Sequence, residues 1–69
     1  MSDDLLPYQQ RVVDEKQELD TKIGALSVFI AGVAFSTIPS DEQDRLTAQY
    51  LIMMAYSTIL ASRIKGFTQ

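Results

Sequence analysis

The 69-residue chain contains no cysteine, no histidine and no tryptophan. Without cysteine there are no disulfide staples, no thiol nucleophiles and no redox switching, and the absence fits a reducing compartment such as the cytoplasm. Without Cys or His, a zinc site lacks its usual donors. A chain this short hides only about 60% of the surface its unfolded form exposes. With staples and structural metal both missing, self-association is the remaining common support for so small a core.

Positive charge is also sparse. Six Lys and Arg stand against nine Asp and Glu, a formal net charge of −3, and the bases Arg11, Lys16, Lys22, Arg45, Arg63 and Lys65 are scattered singly. Duplex nucleic acid is therefore not an expected partner, because displacing its counterions takes a clustered positive face. The opening MSDDLLP has no positive segment ahead of an apolar core, so it is not a secretory signal. The uncharged run from Ile23 to Ile38 contains Gly24, Ser27, Gly32, Ser36 and Thr37 and stops at Pro39. A spanning helix needs about 20 mostly apolar residues, so a membrane hairpin of the small-holin kind is disfavoured and no membrane partner is expected.

Catalytic groups are few. Only carboxylates, Lys, Ser and Tyr remain as bases or nucleophiles, and there is no glycine-rich phosphate loop, so the chain is expected to be no enzyme and to need no cofactor. Asp14, Glu15 and Glu18 have a spacing that could hold a cation, but without a partnering His they read as a solvated helix face. Asp41, Glu42 and Asp44 read as charges on the first turn of a helix.

Two uncharged stretches dominate what is present, Ile23 to Phe35 and Gln49 to Ser62, separated by the polar Pro39 to Arg45. Pro7 suits the first turn of a helix. From there apolar residues fall in steps of three and four at Val12, Leu19, Ile23, Leu26, Ile30 and Val33, with Lys16 filling one seat of the stripe. Lys16 is expected to pair with Asp20 four residues on, and Arg11 with Glu15 and Glu18 with Lys22 are further i,i+4 pairs of opposite sign. Small residues such as Ala25, Ala31 and Ala34 allow close helix approach, and Gly32 is a place where a kink can form. Pro39 ends the first helix, Ser40 and Gln43 have the spacing of a capping box, and Gly66 is a natural left-handed stop with Phe67 beyond it as an anchor.

The second stripe, Leu46, Tyr50, Met53, Ser57, Leu60, Ile64 and Phe67, can lie antiparallel on the first. The expected fold is all-α, a two-helix antiparallel hairpin over about 7–36 and 40–66, forming one domain over 1–69 with a flexible acidic leader at 1–6. Ile52, Tyr56 and Ile59 form another apolar set that one partner helix cannot also cover. Together with Phe29 they are the expected oligomer interface of a symmetric homo-oligomer.

Tyr8, Gln9, Gln10 and Arg11 bring an aromatic ring, amides and a guanidinium to a helix start, chemistry that suits a nucleotide. With Lys16 and Lys22 added, Tyr8 and Arg11 are the candidate ligand-binding residues. Tyr50 and Tyr56 are expected in the core or interface.

The opening PYQQRVVDEKQELDTKI, Pro7 to Ile23, with the closing pattern of Gln49, Tyr50, Met53, Tyr56, Leu60, Arg63, Ile64 and Phe67, resembles a family of short helical proteins of tailed phages and prophages. The resemblance covers most of the chain and implies an accessory phage role in the host bacterial cytoplasm, where such small genes often counter host defence. In size and build the chain is similar to phage sponge proteins, which assemble into oligomers and sequester cyclic-nucleotide immune signals, such as those of CBASS defence, in pockets between subunits. No binding motif of theirs aligns here, so the candidate ligand residues come from side-chain chemistry alone. The rival class is a protein inhibitor or regulator, anti-CRISPR-like, that turns its acidic N-terminal half or spare apolar face on a host defence protein.

Overall fold

A computed structural model describes residues 5–67, so the first four residues of the expected leader lie outside the described residues. Helix α1 runs Pro7–Ala31, a short 3₁₀ turn runs Val33–Thr37, and helix α2 runs Ser40–Gly66. At the start of α1, Pro7 occupies the first helical position and Gln9 Oε1 accepts the Leu6 N–H at 2.8 Å. Leu6 has no side-chain acceptor to return the bond.

Three helix ends differ from expectation, each for a local reason. Helix α1 stops at Ala31 rather than near residue 36, because Gly32 leaves the helix at φ −89° and ψ 167°. Gly32 is thus a complete break and not a kink. Glycine costs a helix about 1 kcal/mol relative to alanine. The residues beyond it have local partners instead, with Ser36 Oγ donating to the Val33 carbonyl at 2.8 Å and Thr37 Oγ1 to the Ala34 carbonyl at 2.6 Å. At the start of α2 the cap is Pro39 and not Ser40. Its extended backbone aims its carbonyl at the N–H groups of Glu42 and Gln43, both at 3.0 Å, which places Ser40 inside the helix with no capping role. Gln43 Nε2 donates to the Ile38 carbonyl at 2.9 Å. At the far end α2 runs through Gly66 with no positive φ, and Phe67 continues in right-handed geometry. That continuation carries the Phe67 ring back to Tyr8, edge to face at 5.9 Å, as the expected anchor.

The two stripes meet as an antiparallel hairpin. Val12, Ser57 and Leu60 are buried, and Lys16, Leu19, Ile23, Leu26, Ile30, Leu46, Tyr50, Met53, Ile64 and Phe67 are half-buried. Val33 is the exception, 89% exposed, because the helix that would have carried it inward has already ended. The Arg11–Glu15 and Glu18–Lys22 ion pairs are not made among the described residues. Lys16–Asp20 is, at 2.6 Å, and Arg45 contacts Asp41 at 3.3 Å and Glu42 at 2.8 Å. Glu15 is engaged across the hairpin by Tyr56, and an exposed i,i+4 pair contributes only about 0.2–0.5 kcal/mol in any case.

The product is a rod of 48 × 15 × 15 Å with a radius of gyration of 15.5 Å. A compact chain of this length would have about 11 Å, so among the described residues the rod is one helix pair thick with no third layer. Ile52 stays 68% exposed and Ile59 57%. Among the described residues no helix is long and apolar enough to cross a membrane.

Leu60 has no exposed surface at all. Leu60→Ala is expected to destabilise the protein by about 2–5 kcal/mol. A Cβ added at Gly24 meets nothing within 4 Å, so Gly24→Ala is expected to stabilise it by about 0.5–1 kcal/mol. Urea unfolding followed by circular dichroism measures both.

Candidate functional site

Tyr8 sits in the first turn of α1, 47% exposed, with its ring edge against Phe67 and its hydroxyl accepting from Gln9 Nε2 at 3.5 Å. Arg11, one turn on, is exposed and forms no ion pair among the described residues. Lys22 is exposed on the same flank of α1, because eleven residues make just over three whole turns, and it stands about 16 Å further along the axis. Lys16 is different. It is half-buried, faces the other side of the stripe, and its ammonium is held by Asp20 Oδ2 at 2.6 Å. The structure therefore brings Tyr8 and Arg11 together, keeps Lys22 on their flank, and ties Lys16 elsewhere. One chain does not gather all four around a single ligand.

The polar contacts that cross between the helices were not anticipated from the sequence. Ser57 Oγ donates to Asp20 Oδ1 at 2.5 Å, so Lys16, Asp20 and Ser57 form one bridge in the seam. The Lys16 ammonium first, and the Ser57 hydroxyl second, hold the Asp20 carboxyl below the usual carboxylate range. On the opposite side of the seam Tyr56 donates its hydroxyl to Glu15. That bond to Glu15 raises the Tyr56 pKa, while nearby Arg63 pulls it the other way. A signal for the first bridge was present, since Lys16 and Ser57 are the polar seats in two otherwise apolar stripes. Two such seats in facing rows are expected to meet. Arg63 acts on Tyr56 as well and so belongs with the Tyr56–Glu15 pair.

The residues expected at an oligomer interface, Ile52, Tyr56, Ile59 and Phe29, are all exposed, with Phe29 half turned onto Phe35 edge to face at 6.1 Å. Ile52, Tyr56 and Ile59 share one side of α2, and the Tyr56–Glu15 bond puts the Arg11 and Lys22 flank of α1 on that same side of the hairpin. One face thus combines free cationic groups with uncovered apolar ones. Among the described residues no group of three or more acidic side chains is gathered to hold a metal ion.

Comparison with known proteins agrees with a phage origin. The family model described as Sequestin matches residues 6–66. The chain is also 40% identical over 63 residues to the uncharacterized 7.5 kDa protein in the denB-rIIB intergenic region of Enterobacteria phage T4, a match covering 91% of this chain and 98% of that protein. No solved structure matches.

Because the Asp20 carboxyl is held low in the folded state, the stabilisation it provides is fully present above about pH 4, the ordinary aspartate range. It is lost as the pH falls through the depressed value. Asp20→Asn is expected to lower stability at neutral pH and to flatten the fall in melting temperature between about pH 4 and pH 2, measured by thermal unfolding across that range.

Proposed function

Since this chain belongs to the Sequestin family, whose name denotes sequestration, we propose that it is a non-catalytic phage sponge which assembles from copies of itself and withdraws a nucleotide immune signal from the host. It acts in the cytoplasm of the infected bacterium against a signalling defence such as CBASS. Cyclic nucleotides offer two chemical handles, a base that stacks and phosphates that accept charge-assisted hydrogen bonds. Tyr8 and Arg11 present the matching pair one turn apart at an exposed helix start, and Lys22 adds charge on the same flank.

The observation that carries this reading is the incompleteness of the hairpin. Its cationic groups are spread along and around a rod 15 Å thick, and its apolar Ile52, Tyr56, Ile59 and Phe29 are uncovered. A pocket that encloses a ligand therefore needs further copies, whose docking would between them cover those apolar residues and bring further cationic side chains to the ligand. Lys16 joins such a site only by giving up Asp20. The same uncovered face also supports the rival reading of an inhibitor that docks on a host defence protein.

Thermal melting with a panel of cyclic di- and trinucleotides separates the two. A cognate signal at 100 times its dissociation constant is expected to add about 2.7 kcal/mol of stability, and Arg11→Ala is expected to remove most of that gain while leaving the unliganded melting temperature unchanged. If no nucleotide raises the midpoint, and Tyr8→Ala and Arg11→Ala protect phage as well as the wild type does, the sponge reading is wrong. A single stoichiometric host protein in a pulldown, lost on reversing the acidic charges of α1, would then put the inhibitor in its place.

A further inference from the structure

Helix α2 carries a second seam on its back. Ala48, Ile52, Ala55, Ile59 and Ser62 follow one another in steps of four and three, and every one of them is exposed in the hairpin. At about 100° per residue this row points nearly opposite to the inward stripe that packs on α1, so α1 cannot reach it. A repeat of 3.5 residues is the spacing at which two helices keep a continuous line of contact. The row also alternates small with large, Ala, Ile, Ala, Ile.

We propose that this row pairs with the same row of a second copy, antiparallel, about a two-fold axis between Met53 and Met54. That register sets Ala48 against the partner's Ile59 and Ala55 against the partner's Ile52, so each isoleucine fills the space an alanine leaves. The inference builds on the self-assembly part of the proposed function and adds which helix pairs, in which direction and at which register.

Charge selects the same arrangement independently. Helix α2 has Asp41 and Glu42 in its first turn and Arg63 and Lys65 in its last. Antiparallel pairing lays acidic end on basic end at both edges of the seam, with Glu42 beside the partner's Arg63 and Asp44 beside the partner's Lys65. Glu42 holds Arg45 of its own chain at 2.8 Å, and Arg63 makes no ion pair among the described residues, so a partner's Arg63 would join Arg45 on the Glu42 carboxylate. Parallel pairing would instead stack Ala on Ala, Ile on Ile and Glu42 beside its own equivalent. Opposed helix dipoles favour the antiparallel choice as well.

The chain has no cysteine of its own, which makes engineered cross-linking clean. Full-length Ile52→Cys and Ala55→Cys chains are prepared separately, then oxidised alone and as a mixture. The proposal expects a disulfide-linked dimer chiefly in the mixture, because only the 52–55 pair lies level across the axis and Cα atoms more than about 7 Å apart are not bridged. Efficient linking of Ala55→Cys with itself, or no linked dimer in any sample, overturns it. As a second measurement, Glu42→Arg and Arg63→Glu are each expected to weaken association roughly tenfold and the double variant to restore it, with like-signed single effects that simply add overturning the register. A nucleotide-induced melting shift without the mixed disulfide would leave the sponge reading standing and remove this interface. The mixed disulfide in a chain that binds no nucleotide would do the reverse.

Discussion

Two helices can hide each other only along a line. Among the described residues just two apolar side chains, Val12 and Leu60, are buried, and the stripe residues around them remain half-wet. With roughly 1–2 kcal/mol of backbone entropy lost per ordered residue, so thin a core leaves little margin. The extended shape follows from the same constraint, since a third layer would have needed a third helix. Ile52 and Ile59 stay uncovered because, among the described residues, α2 has only α1 and the short turn to pack against.

Within that thin seam the polar contacts decide how the helices are set. The apolar steps of three and four repeat along both helices, so a slide of one turn, about 5.4 Å, would still bring apolar rows together. It would separate Ser57 from Asp20, Tyr56 from Glu15 and Phe67 from Tyr8, which are spread along the rod and all fixed by one register. Hydrogen bonds at the edge of water contribute little net stability, but they penalise the alternatives. The seam therefore draws its adhesion from Val12, Leu60 and their neighbours and its alignment from Asp20, Ser57, Glu15 and Tyr56.

What was legible in the sequence divides along the same line. Apart from Val33, both stripes could be read residue by residue, because periodicity survives without any knowledge of the partner, and Lys16 with Asp20 could be paired because both lie on one helix. The ends of the helices were not legible to the same degree. Ser40 and Gly66 have the residue types of a cap and a stop, yet Pro39 supplies the carbonyl that starts α2, and the Tyr8–Phe67 contact draws the chain onward through Gly66. In both places a neighbour already met the need that residue type alone would have predicted. The Asp20–Ser57 bridge depended on the register between two stripes, which periodicity leaves open by whole turns. For the ligand residues, residue type picked out Tyr8, Arg11, Lys16 and Lys22 alike, although the expected pair with Asp20, which the structure makes, already set Lys16 apart from the other three.

The two helices are also unequally equipped, and this bears on how an assembly would work. The back of α2 carries alternating alanine and isoleucine with acids at one end and bases at the other, the features on which the proposed self-pairing rests. The flank of α1 carries Arg11 and Lys22, exposed and in no ion pair among the described residues, beside Tyr8 on its Phe67 and Gln9 contacts, which is where the proposed anionic ligand would bind. The proposed pairing through the back of α2 would place the second copy on the side away from α1, so it would not cover Arg11 or compete for its guanidinium. A pair of hairpins joined in that way would offer two equivalent α1 flanks, and contacts made later through Phe29 and Tyr56 would close over them. Self-recognition and ligand recognition would then act through different helices of the same hairpin, so either could change without undoing the other.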